Sequence, residues 1–210
     1  FVRPPSVLEL EAVEIVRGHA SSQARVFARA DGQEIFTVLA TLGKRNLPWS
    51  GEWAVMPETT PPEQCEMRPL RGDHEGTIVS QLEMRIANAR DMENLDGTIG
   101  DGRSALWVKL PTSLGSSAPA LSILGDWVPF GIGQALGRLT ASNSLDNTLR
   151  MVETDHPTEW VLADIRIQAV TNGFGHGVVH LWAQDGTLLA TASQSAICRQ
   201  WDSSRFEEKS

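Results

Sequence analysis

A length of 210 residues allows one large core or two small ones. The hydrophobic fraction of 41% and the charged fraction of 21% are those of a folded globular protein. A net charge of −8 argues against general nucleic-acid binding, which needs a concentrated basic face, but leaves room for a small anionic ligand on local Arg or Lys.

The chain opens on Phe1-Val2-Arg3-Pro4-Pro5, a strand approach with no preceding cap, and a missing beginning is expected. Val7 to Arg17 alternates imperfectly between apolar and charged residues, which reads as a half-buried strand broken by Gly18 and His19. Residues 23–30 and 34–45 read as two strands joined by Asp31-Gly32, a strong hairpin signal. Residues 46–75 carry Pro48, Pro57, Pro61, Pro62 and Pro69 beside Trp49 and Trp53. That proline density predicts an extended connector, pinned to a domain surface by the tryptophans. A Pro-rich peptide ligand is the weaker alternative.

Residues 76–88 read as a strand, followed by an Asp-, Asn- and Gly-rich loop from Asp91 to Arg103 that lacks the acid spacing of a calcium loop. Another strand runs from Ser104 to Leu110. Pro119 to Leu139 is the one long helix candidate, with Ser116 or Ser117 to cap it and Pro119 suited to its first turn. Pro129, Gly131 and Gly133 predict a bend or an early end. Four strands follow, at 144–153, 160–170, 177–183 and 187–199, with turns at 154–158, 171–176 and 184–186. Residues 202–210 form a charged, frayed tail.

Cys65 and Cys198 lie far apart and fit no zinc or redox spacing, so a reducing, cytoplasmic compartment is expected and no metal or cofactor is implied. No uninterrupted apolar run reaches the roughly eighteen residues of a membrane span, and no signal-peptide pattern is present.

The chain also repeats itself. Asp31-Gly32 and Asp185-Gly186 each close a hairpin, and each is followed at the same distance by an arginine, Arg45 and Arg199. A longer strand precedes each hairpin, Val7 to Arg17 and Trp160 to Val170. The two halves read as copies of one fold, the first lacking its helix and opening strands in this chain. An apolar sheet face left bare is costly, so an upstream segment or a partner chain is expected over it. The division is 1–47 for the later part of the first copy, 48–75 for the connector, 76–201 for the second copy and 202–210 for the tail.

Two residues of the second copy point to chemistry. Asp146, in Ser144-Leu145-Asp146-Asn147-Thr148, is an acid just past the helix. Gln194 is an amide within small and apolar neighbours. Asp126, on the helix between apolar residues, needs a partner if buried and either bonds the sheet backbone or lines a pocket. His176, between Gly175 and Gly177, reads as a turn histidine on a surface or pocket rim, with no Asp–His–Ser arrangement behind it.

The second copy closely resembles the type II acyl-CoA thioesterases, the TesB-like family. The resemblance rests on Leu121-Ser122-Ile123-Leu124-Gly125-Asp126-Trp127, Ser144-Leu145-Asp146-Asn147-Thr148 and Glu159-Trp160-Val161-Leu162. Gln184-Asp185-Gly186-Thr187-Leu188-Leu189-Ala190, Gln194 and Arg199 complete it, so that it covers residues 119–201. It implies an α+β double hot-dog, in which an antiparallel sheet wraps a long helix, and hydrolysis of acyl-CoA by a water held between an Asp, a Ser or Thr, and a Gln. Carried over by position, the Asp is Asp146 and the Gln is Gln194. The hydroxyl is expected near Ile165 to Ala169, where no Ser or Thr stands, which leaves Gln168 as the substitute and Thr171 next. Asp126, Thr171 and His176 are assigned to substrate binding. The resemblance also implies association between copies of the chain. A non-catalytic or very slow acyl-thioester-binding hot-dog is the alternative, while a hydratase would need an Asp and a His close together in one loop, and His156 and Asp146 fall in different turns.

Overall fold

The computed structural model describes residues 6–69, 76–109 and 113–201, and divides into two compact units at Gly51. In the first, β1 (Glu9–Arg17), β2 (Ser21–Ala30) and β3 (Gln33–Gly43) form an antiparallel sheet in that order. Asp31 and Gly32 turn between β2 and β3 with φ of 50° and 77°, the left-handed geometry that a tight hairpin needs. Cross-strand register puts Leu10, Ala28 and Phe36 in one row and Ala12, Val26 and Val38 in the next, so one face is apolar. Leu10 is 66% and Leu42 65% exposed.

The second unit is a six-stranded antiparallel sheet. Its strands are β4 (Glu83–Asn88), β5 (Arg103–Lys109), β6 (Thr140–Met151), β7 (Trp160–Thr171), β8 (Phe174–Ala183) and β9 (Leu188–Gln200), in the spatial order β4-β5-β7-β8-β9-β6. The expected strand at 76–88 shortens to β4, because Ile78–Gln81 closes a 3-10 turn through Ser80 N to Thr77 O and Leu82 N to Val79 O. The helix comes in two pieces, α1 (Ala118–Leu124) and α2 (Val128–Leu136). The break falls at Gly125 to Trp127, just before Pro129, whose missing N–H costs nothing in the first turn of α2. Ser117 occupies the cap position of α1 without a side-chain hydrogen bond, and Ser116 Oγ donates instead to His156 O at 2.7 Å.

Both faces of this sheet bury apolar side chains. On one, Leu121, Leu124, Val128 and Ile132 of the helices bury against Leu106, Val108, Ile165, Val179, Leu181 and Leu189. Each such side chain contributes about 1.5–3 kcal/mol when fully buried. Glycine lets α2 lie close: a Cβ at Gly131 would meet Ile165 Cγ2 at 2.5 Å, and one at Gly175 would meet Ile132 Cδ1 at 2.5 Å. Gly175 and Gly177 are therefore strand residues under the helix, and His176 sits within β8. The turn falls earlier, at Asn172-Gly173.

The opposite face buries Trp107, Trp160, Leu162, Trp182 and Leu188 with Cys65, and Ala54 and Met56 pack against them. Residues 52–69 thus belong to the second unit and lie across its sheet. Trp49 and Trp53 do not pin them, being 81% and 88% exposed. Hydrogen bonds hold this strap instead: Trp107 Nε1 donates to Thr60 O at 2.9 Å, Leu188 N to Glu52 Oε2 at 3.1 Å and Ile86 N to Glu66 O at 2.8 Å. The tail expected at 202–210 lies outside the described residues.

The repeat extends to register. β1-β2 shifts between Glu14 and Val16, and β7-β8 shifts between Ile167 and Ala169; β2-β3 shifts at Ala28/Arg29, and β8-β9 at Leu181/Trp182. Pairing outward from these bulges matches Ala24 with Gly177, Val26 with Val179 and Ala40 with Gln194.

Candidate active site

The break between α1 and α2 sets a carboxylate over the sheet. A Cβ at Gly125 would lie 2.8 Å from Leu149 Cδ1 and 3.2 Å from Ala192 Cβ, so glycine lets the broken helix lie close on β6 and β9 here without displacing them. Asn147 Nδ2 of β6 donates to Gly125 O at 3.4 Å and fixes that descent. Asp126 follows at once, with its side chain exposed.

Beneath it stands Gln194 of β9, fully buried on the helix-facing side. Its Nε2 donates to Asp126 Oδ1 and, at 2.8 Å, to Ser144 Oγ; Ser144 Oγ in turn donates to Asp126 Oδ1 at 3.5 Å. An amide nitrogen has two N–H groups, so both donations coexist. The amide orients the acid and the hydroxyl together. Beside the cluster a pocket of ≈200 Å³ is lined by Asp126, Trp127, Phe130, Leu139, Ser142 and Trp201, among others. A carboxylate at the mouth of a mostly apolar pocket, held by an amide and a hydroxyl, can accept a proton from a water and aim it at a carbonyl.

A model of the acyl-CoA thioesterase C-terminal domain family matches residues 62–198. The chain belongs to that family. Its enzyme class is thioester hydrolase. A candidate thioesterase from Novosphingobium aromaticivorans is 30% identical at a TM-score of 0.78, over 91% of this chain and 73% of that one. A hot-dog protein of unknown function from Alicyclobacillus acidocaldarius is 20% identical at a TM-score of 0.78, over 93% and 74%. The acyl-CoA thioesterase II TesB2 of Mycobacterium marinum is 19% identical at a TM-score of 0.69, over 96% and 84%. These likenesses carry the hot-dog fold. No curated protein sequence matches the chain. Among the described residues no helix is long and apolar enough to cross a membrane.

This cluster is not the pairing read from the sequence. Asp146 and Gln194 do not meet. β6 bulges between Ser144 and Asp146, so Asp146 pairs with Ser195, the neighbour of Gln194 that points to the other side of the sheet. There Asp146 Oδ1 accepts from Ser195 N at 2.8 Å. His176 is on the same side, with its Nδ1 3.4 Å from Ser195 Oγ. The acid bonds the backbone and not the imidazole, so no relay forms. Gln168 is exposed at the bulge of β7, and Thr171 is exposed at the strand's end, paired with Phe174. Of the named residues, the structure brings together Gln194 and Asp126. The hydroxyl that joins them is Ser144 of β6, two residues before Asp146, and not a residue of β7 as the resemblance implied.

Two further titratable groups lie apart from this cluster. Burial pushes the His180 imidazole below its usual pKa, opposed by Asp164 and reinforced by Arg166. Asp185 is held below the ordinary carboxylate range by the Thr187 N–H first and then by His156, whose Nε2 lies 2.8 Å from its Oδ2.

Proposed function

We propose that the protein hydrolyses acyl-CoA to a free acid and CoA by direct attack of a water positioned on Asp126. The carboxylate accepts one water proton as the oxygen bonds to the thioester carbonyl carbon. The tetrahedral oxyanion that results calls for N–H donors, and the first turn of α2, which begins two residues on at Val128, carries N–H groups without helical partners. When the C–S bond breaks, the departing thiolate takes a proton and leaves as CoA.

The observation that carries this reading is the shared bonding of Asp126 and Ser144 to the buried Gln194 amide. Ser144 also removes the reason for favouring a non-catalytic binder, since a hydroxyl stands in the cluster on β6. Following CoA release with a thiol-reactive dye tests the assignment. Asp126→Asn is expected to lower turnover by roughly 10²–10⁴-fold, the usual worth of a positioned base. Asp146→Asn is expected to leave it nearly intact, and the opposite pattern would move the water to the other side of the sheet.

A further inference from the structure

Arginines gather at the far end of α2, in a chain of net charge −8. The loop there is tied to the helix C-terminus by Gly97 N donating to Gly137 O and Gly100 N to Ala135 O, both at 2.8 Å. Arg90 clamps it, giving Nη1 to Thr98 O at 2.6 Å and Nη2 to Gln134 O. Arg138 flanks the loop on one side, its Nε and Nη2 each 3.4 Å from where a Gly97 Cβ would be. Arg103, with Arg90 and Asn88, lines a polar pocket of ≈300 Å³ next to Gly100. Arg138 also lines the pocket that reaches Asp126. The aromatic wall of Trp127 and Phe130 therefore connects the acid to the first of these arginines.

The nearby acids are committed to their own turns. Asp96 Oδ1 accepts from Thr98 N at 2.8 Å, and Asp101 Oδ1 from Arg103 N at 2.9 Å. Among the described residues no carboxylate pairs with the guanidinium of Arg103 or Arg138. Both are planar, permanently charged forks suited to phosphate oxygens. The spacing also fits. The nine residues of α2 span about 13 Å at 1.5 Å each. A pantetheine arm, with its two amides, is about as long as four extended residues, roughly 13–14 Å.

We infer that the nucleotide end of CoA docks at the C-terminal end of α2, its phosphates on Arg138 and Arg103, while the pantetheine arm runs along the helix to place the thioester at Asp126. This rests on the thioesterase reading of the Asp126 cluster. Two separated guanidinium groups favour the several phosphates of CoA over the single phosphodiester of a carrier-protein arm.

The test compares one acyl group on CoA, on 4′-phosphopantetheine and on N-acetylcysteamine, which lacks phosphate altogether. In the Arg103→Ala/Arg138→Ala double variant, the KM for the CoA thioester relative to the N-acetylcysteamine thioester is expected to rise about tenfold or more, the worth of one charge-assisted hydrogen bond. The phosphopantetheine thioester should shift much less. An unchanged ratio overturns the assignment, and an equal shift for phosphopantetheine overturns its CoA specificity. Calorimetric titration with CoA itself covers the case in which the wild type turns over nothing. Weaker binding to the double variant then upholds the docking surface while the thioesterase reading falls; equal binding rejects the surface.

Discussion

The two sheets of this protein share a register and differ in what lies against them. β1-β2-β3 repeats β7-β8-β9 down to the position of both bulges. Yet β7-β8-β9 is buried beneath α1 and α2, whereas Leu10, Phe36, Val38 and Leu42 of the first sheet are exposed. The residues record the difference. Gly175 and Gly177, where α2 presses on β8, match Ser22 and Ala24 of β2, and Gln194 matches Ala40. A shared register does not make a shared site. The backbone frame is common to both sheets, and the second adds a buried amide with a helix break above it, on which the proposed chemistry rests.

Exchanging matched residues sharpens or breaks this comparison. The largest effect is expected from Gln194→Ala, which gives β9 the residue of β3. Asp126 and Ser144 lose their common donor, and turnover should fall roughly 10²-fold or more, as on losing a preorganised donor. The reverse exchange, Ala40→Gln, should add no activity. If Gln194→Ala keeps full turnover in a thiol-release assay, the amide is a packing residue and the contrast between the sheets is not catalytic.

A smaller effect, on stability, is expected from Gly175→Ser, which copies Ser22. The new Cβ would fall 2.5 Å from Ile132 Cδ1 and force α2 outward, costing about 1–3 kcal/mol. A thermal melt should drop by about 2–4 °C for each kcal/mol in a chain of this size. Ser22→Gly in the first sheet should cost no more than about 1 kcal/mol, the strand-propensity loss alone. Equal melts for both variants would show that the helix does not bear on β8 as described.

The mildest expectation concerns pH. His180 faces away from the helix beside Asp164, Arg166 and Trp182, and its counterpart on β2 is Phe27, which does not titrate. Burial lowers the folded pKa of His180, so the unfolded chain takes up the proton first. Its contribution is complete above the unfolded value of about 6.5 and declines as pH falls from there toward the lower folded value. Denaturant melts of His180→Gln should therefore lose part of the acid-side decline seen in the wild type. A variant with the same pH slope as the wild type would assign that decline to other groups.

Much of this was legible in the chain. The hairpins at Asp31-Gly32 and Asp185-Gly186, the extended course of β1 and the Pro129 break are local signals, set by the backbone preferences of a few adjacent residues; the half-burial expected of β1 is not found, since all of Glu9–Arg17 is exposed. So was the family, because its motifs are contiguous. Gln194 was legible too, as a polar residue in a strand of small ones. The strap was not, since whether Trp53 or Thr60 touches the sheet depends on where the chain lies and not on how often proline occurs in it.

Composition and spacing determined the strands, the broken helix, the duplicated pattern and the acidic and amide side chains available for catalysis. Only the tertiary structure decided which acid meets the amide. Side chains alternate faces along a strand, so the single bulge between Ser144 and Asp146 turns the hydroxyl toward Gln194 and the acid away from it. The vacated place is filled from a different element, by Asp126, because the helix breaks where glycine allows it to touch the sheet.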